Sequence, residues 1–133
     1  IVIRDFGLLT NTGTINTTSI GMSFDSQTFT NEGIVKVYGG ETGFRLSRKI
    51  VNNNIIEILP DGIAGLSNDT FINNGTLLNR GTLSTIVFGV PIIATLHNSE
   101  TGVIDNRATL VIDVFDDGTP STLINDGTII NTG

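Results

Sequence analysis

Residues 75–83 read Gly75-Thr76-Leu77-Leu78-Asn79-Arg80-Gly81-Thr82-Leu83. The same phrase returns as Gly102-Val103-Ile104-Asp105-Asn106-Arg107-Ala108-Thr109-Leu110 and as Gly127-Thr128-Ile129-Ile130-Asn131-Thr132-Gly133. In each, Asn stands four residues after the opening Gly and a small residue stands six after it. Six residues hold one short strand and one corner. The Asn-Gly and Asp-Gly pairs at 61–62, 74–75, 117–118 and 126–127 would ordinarily suggest β-hairpins and an antiparallel sandwich. A turn signal that returns after six residues leaves too little chain for strands of about 5–6 residues plus their turns. Short strands joined by corners, wound in one direction, are what this phrase allows.

Over the whole chain, six anchors are Gly13, Gly33, Asn54, Gly75, Gly102 and Gly127, separated by 20, 21, 21, 27 and 25 residues. Two residues before them stand Asn11, Asn31, Asn52, Asn73, Glu100 and Asn125. Two after them stand Ile15, Val35, Ile56, Leu77, Ile104 and Ile129. Four before them stand Leu9, Phe29, Ile50, Phe71, Asn98 and Leu123, and six after them Ser19, Gly39, Pro60, Gly81, Ala108 and Gly133. Internal repetition of this length marks a solenoid. The expected fold is therefore all-β, a parallel β-solenoid of about six coils with a repeat of 20–27 residues, forming a single domain over 1–133.

Each column has a physical reading. The anchors suit a corner needing positive φ, which Gly takes freely and Asn tolerates. The apolar columns point inward, and the polar residues just before the anchors face water. Asn11, Asn31, Asn52, Asn73 and Asn125 form a structural ladder in which side-chain amides bond from coil to coil, as in amyloid-like stacking. With parallel strands about 4.8 Å apart, six coils rise roughly 29 Å. One coil buries too little apolar surface to stand alone, but several stacked coils do not.

Composition agrees with this reading. Of 133 residues, 19 are Thr, 14 Asn and 16 Gly, more than a third in all. Charged residues make up 15%, against roughly 25% in ordinary soluble domains. A charge repeated at one coil position would face its own copy every ~4.8 Å, which Thr and Asn avoid. The net charge of −6 argues against a nucleic-acid partner, and the absence of Cys excludes disulfides and thiolate metal sites. No apolar run reaches the ~18 residues of a membrane-spanning helix. The chain opens on Ile1 without a signal-peptide pattern and stops within a coil, so it reads as processed or as a slice, with ends that look uncapped.

The coils differ beyond the small-residue column. Ile86, Val87, Phe88, Ile92 and Ile93 lie in the most apolar stretch, a candidate assembly patch if they face outward and core strands if they do not. Asp105, Asp113, Asp116, Asp117 and Asp126 are the acidic concentration. Paired carboxylates on neighbouring coils would suit glycoside hydrolysis, but the half of the chain that holds them offers Arg80 and Arg107 and neither Trp nor Tyr to hold a sugar. Asp113, Asp116 and Asp117 offer hard oxygen ligands for Ca²⁺ without a recognised calcium-loop spacing, and a solvated acidic loop is the preferred reading. His97 is read as a loop residue without a partner. A flat Thr rank of the kind that would bind ice is broken, because Thr14 aligns with Ile34, Ile55, Thr76, Val103 and Thr128. Asn16, Asn68 and Asn74 sit in N-x-S/T sequons compatible with extracellular glycosylation. No catalytic residue and no cofactor is expected.

The phrase N-x-G-[T/V]-[I/L], at Asn11–Ile15, Asn73–Leu77 and Asn125–Ile129, resembles the repeats of prokaryotic surface proteins. Filamentous-haemagglutinin and autotransporter-type adhesins look like this, as do archaeal sheath and surface-layer proteins. The resemblance implies an extracellular, cell-surface, structural or adhesive role and carries over no catalytic residues. The leading expectation is a non-enzymatic subunit that self-assembles, through head-to-tail strand edges of copies of itself, into a filament, sheath or surface layer. The alternative is a stalk segment of a larger adhesin, with surface glycans as candidate partners. A third reading is a polysaccharide-active β-helix enzyme, for which Asp113→Ala or Asp116→Ala would abolish cleavage.

Overall fold

The computed structural model describes residues 2–17, 23–38, 40–67, 70–84, 95–112 and 121–133. These residues form an all-β parallel solenoid with a repeat of about 21 residues. Coil one runs through β1 (Val2–Asn11) and β2 (Thr14–Thr17), coil two through β3 (Ser23–Asn31) and β4 (Ile34–Val37), and coil three through β5 (Gly40–Asn52) and β6 (Ile55–Ile58). Coil four holds β7 (Gly62–Ser67), β8 (Thr70–Asn73) and β9 (Thr76–Asn79). Coil five holds β10 (Thr82–Ser84), β11 (Thr95–Asn98) and β12 (Val103–Asn106), and coil six β13 (Thr109–Val111), β14 (Thr122–Asn125) and β15 (Thr128–Asn131).

Every strand pairing among the described residues is parallel, so the Asn-Gly and Asp-Gly pairs described turn corners rather than hairpins. One sheet stacks β15-β12-β9-β6-β4-β2. The other holds nine strands, because β5 pairs on one side with β3 and on the other with both β7 and β8. Coils one to three thus carry one long strand where coils four to six carry two short ones.

Strand periodicity of two explains the core. Along β4, β6, β8, β9, β11 and β12 the burial alternates residue by residue. The inward residues make columns through the stack. Phe29, Ile50, Phe71 and Leu96 form one, Val35, Ile56, Leu77 and Ile104 a second, and Ala64 and Leu83 the start of a third. Leu9, Ile15, Leu110 and Ile129 extend these columns at the outer coils. No helix among the described residues is long and apolar enough to cross a membrane.

Candidate functional site

Among the described residues, a repeated side-chain hydrogen-bond pattern stands at the corners. An Asn that ends a strand of the larger sheet points inward, between two coils, where its amide needs partners. Asn11, Asn31, Asn52, Asn73, Asn98 and Asn125 stack in register in this way. Each Nδ2 donates to the Oδ1 of the next coil, at 2.8, 2.9, 2.8, 2.8 and 2.8 Å in order. The same amide donates to the carbonyl at its own corner, such as Gly33 at 3.0 Å from Asn31. It also donates to a carbonyl of the following coil, such as Ile55 at 3.0 Å. Asn31, Asn52, Asn73 and Asn98 are fully buried. A buried amide is tolerated only when its donors and acceptor are satisfied, and here the repeat itself satisfies them.

The fifth rung corrects the sequence reading. Asn98, not Glu100, pairs with Asn73 and Asn125, and Leu96, not Asn98, occupies the apolar column between Phe71 and Leu123. Counting back from Gly102 misplaces both, because this corner holds Ser99-Glu100-Thr101 where the others hold a single residue. Ser99 takes the place expected for Thr101: its N–H donates to the Asn73 carbonyl just as that of Asn74 donates to Asn52. Two residues of the long 27-residue interval therefore lie in the corner itself. At the opposite corner of coil three, Gly62 rather than Pro60 aligns with Gly81. There Leu59-Pro60-Asp61-Gly62 closes a turn through a 2.7 Å bond from the Gly62 N–H to the Leu59 carbonyl.

The glycines at the anchors also have a different cause from the one expected. None of Gly13, Gly33, Gly75, Gly102 and Gly127 takes a left-handed φ. What most of them lack is room. A Cβ on Gly33 would strike the backbone of Gly13, and a Cβ on Gly75 would strike that of Asn54. One on Gly102 would strike the Asn73 carbonyl, and one on Gly127 those of Ser99 and Gly102. The corners stack so closely that backbone touches backbone. Gly75→Ala is accordingly expected to cost about 1–3 kcal/mol by overpacking, read as a lower midpoint in urea unfolding; an unchanged midpoint would contradict this packing.

A second amide ladder shows in the sequence only as a recurring Asn. Asn79 donates to Asn106 at 2.7 Å, and Asn106 to Asn131 at 2.8 Å. Upstream in the same column stand Thr17, Val37 and Ile58. The column thus changes from apolar to amide at coil four, where the second corner tightens from Leu59-Pro60-Asp61-Gly62 to Arg80-Gly81. Gly81 N–H then donates to the Asn79 Oδ1 at 3.2 Å, the same contact that Gly33 makes with Asn31.

On the outer face of the smaller sheet, some charges meet opposite charges. Glu57 lies 3.7 Å from Lys36 in the coil before and 3.6 Å from Arg80 near the coil after. Glu57 is half-buried but both cations are open to solvent, so these pairs contribute little, about 0–1 kcal/mol. Asn53 donates to Glu32 at 2.6 Å, and Asn74 to Asn53 at 2.8 Å, making a short outer ladder.

The candidate site residues fall as follows. Asp105 is gripped by the guanidinium of Arg107, whose hydrogen bonds hold its carboxyl below the ordinary carboxylate range. His97 is a strand residue of β11 rather than a loop residue, and its Nε2 lies 2.8 Å from Asp126 Oδ2 on the next coil. Among the described residues, no group of three or more His, Asp or Glu could hold a metal ion. Asp113, Asp116 and Asp117, and the candidate patch Ile86, Val87, Phe88, Ile92 and Ile93, lie outside the described residues. Of the sequons, Asn16 is exposed on β2, Asn74 belongs to the outer ladder, and Asn68 lies outside the described residues.

No family model matches this chain, and comparison with curated proteins and with solved structures also returns no match, so the parallel β-solenoid rests on the chain's own geometry.

Proposed function

We propose that this chain is a non-enzymatic structural protein of the cell exterior, a β-solenoid subunit that joins copies of itself into a filament, sheath or surface layer. One observation carries the reading. Both buried amide ladders donate in the same direction, from each coil to the one after it. A stack built this way is polar, and each coil ends on an edge of the kind that received it. The low charge and the Thr/Asn columns support the reading, since they permit indefinite stacking without like-charge repulsion. The resemblance to surface-protein repeats supports the location. The test is electron microscopy and fibre diffraction of the purified chain. Elongated particles with a ~4.8 Å axial repeat are expected; particles that stay monomeric at high concentration would refute self-assembly.

A further inference from the structure

The sequence holds one Asn-Gly pair, Asn74-Gly75, and it forms the corner between β8 and β9. In an unfolded chain such a dipeptide is chemically unstable. The nitrogen of a glycine carries no bulky neighbour, so it can reach and attack the Cγ of the Asn before it. In the folded protein each backbone polar group of the pair is held by another coil. The N–H groups of Asn74 and Gly75 both donate to the Asn52 carbonyl of coil three, at 2.8 and 3.0 Å. The Asn74 carbonyl accepts from the Thr101 hydroxyl at 2.9 Å, and the Gly75 carbonyl from the Val103 N–H at 2.8 Å, both on coil five. The Asn74 side-chain amide donates to Asn53 Oδ1 at 2.8 Å. The reactive pair is thus clamped from both sides, in the middle of the stack.

We infer that Asn74-Gly75 is a latent self-modification site, silent while coils three, four and five are stacked and active once coil four opens. The chemistry needs only water. Gly75 N bonds to Asn74 Cγ and gives its proton to solvent, while Nδ2 takes up a proton and leaves as ammonia. The product is a cyclic imide. Water then breaks one of the two C–N bonds of the ring. Breaking the bond to Cγ leaves an ordinary aspartate. Breaking the bond to the backbone carbonyl leaves Gly75 joined through Cγ, an isoaspartate with one extra atom in the main chain. The stack bars the first step, because the Gly75 N–H must leave Asn52 and the side-chain amide must leave Asn53. The isoaspartate also has no place in the stack. A Cβ on Gly75 would already strike the backbone of Asn54, so a longer main chain does not fit this corner. Each opening of coil four that lasts long enough is therefore recorded in a covalent bond and blocks restacking.

The test is peptide mapping by mass spectrometry after the full chain is kept in warm, mildly alkaline buffer, either folded or in guanidinium chloride. Conversion follows the population of the opened corner, so Asn74 is expected to convert at least about tenfold faster in denaturant than in the folded protein. Phe71→Ala, which empties a buried site of the same coil, should fall between the two. If that variant does not fold, denaturant concentrations below the unfolding midpoint supply the intermediate points. Chain converted in denaturant and returned to buffer tests the second half of the inference. The refolded fraction, separated by size exclusion, should have lost isoaspartate at position 74 relative to the fraction that stays unfolded, while unconverted chain in the same sample refolds. Equal rates in folded and unfolded protein overturn the protection by the stack. No conversion in denaturant overturns the site itself. Equal isoaspartate in the refolded and unfolded fractions overturns the block on restacking.

Discussion

Asn73→Asp should cost about 3–5 kcal/mol at neutral pH, because it leaves an uncompensated charge in the interior. Asn73 is fully buried, accepts from Asn52 at 2.8 Å and donates to Asn98, Gly75 and Val103 at 2.8, 3.0 and 3.1 Å. A carboxylate there keeps the bond from Asn52 but faces three oxygens that cannot donate to it. Its pKa in the folded state is therefore raised above the unfolded value of about 3.9. The folded state holds the proton more tightly, so the variant is least impaired below that value, where the protonated carboxyl can donate to Asn98. Stability then falls as pH rises through the unfolded pKa and levels off above the folded one. Asn16→Asp, which adds the same charge at an exposed position on β2, should stay within about 0.5 kcal/mol of the unsubstituted chain. Urea unfolding at neutral pH and at a pH of about 3 checks both; equal midpoints for the two variants at neutral pH would show that the ladder is not a buried, fully satisfied network.

Phe71→Ala is expected to cost about 3–5 kcal/mol, the range for emptying a large aromatic site in a core. Phe71 is 3% exposed and sits in one column between Ile50 and Leu96. These neighbours cannot slide into the gap, because the inter-coil backbone bonds and the amide ladder two residues away hold their strands in place. The loss should act at the level of coils. A solenoid is stabilised by nearest-neighbour interfaces, so weakening coil four uncouples coils one to three from five and six. Unfolding should broaden or split into two transitions, with faster amide exchange centred on β8 and β9. Ile72→Ala, one residue along and half-buried on the outer face, should cost clearly less than Phe71→Ala. A single sharp transition at the unsubstituted midpoint would overturn the expectation for Phe71.

Much of the architecture is legible before any coordinates. Asn11, Asn31, Asn52, Asn73 and Asn125 announce a ladder because equivalent positions of a parallel stack must tolerate their own kind as neighbours. Ile15, Val35, Ile56, Leu77 and Ile104 announce a core by the same logic. The fifth rung is not legible by counting from Gly102, since an insertion of two residues inside a corner shifts the count without disturbing the stack. Leu96 and Asn98 carry the apolar-x-Asn pattern of Phe71 and Asn73, and that local pattern is the available signal. His97 reads as unpartnered in the linear chain because Asp126 is 29 residues away in sequence and one strand away in space.

The winding is written in the residues alone. A six-residue phrase recurring within coils of about 21 residues leaves short parallel strands as the arrangement that puts Asn on Asn and aliphatic on aliphatic. Why the corners are glycine, and where each ladder runs, emerge from the stacked coils and from nothing simpler. Corner glycines can serve a backbone angle or a close approach, and the two look identical in a sequence. The distinction lies in the distance from one coil to the next, a property of residues about a full repeat apart in the chain. At Gly33, Gly75, Gly102 and Gly127 it is the close approach that excludes a side chain.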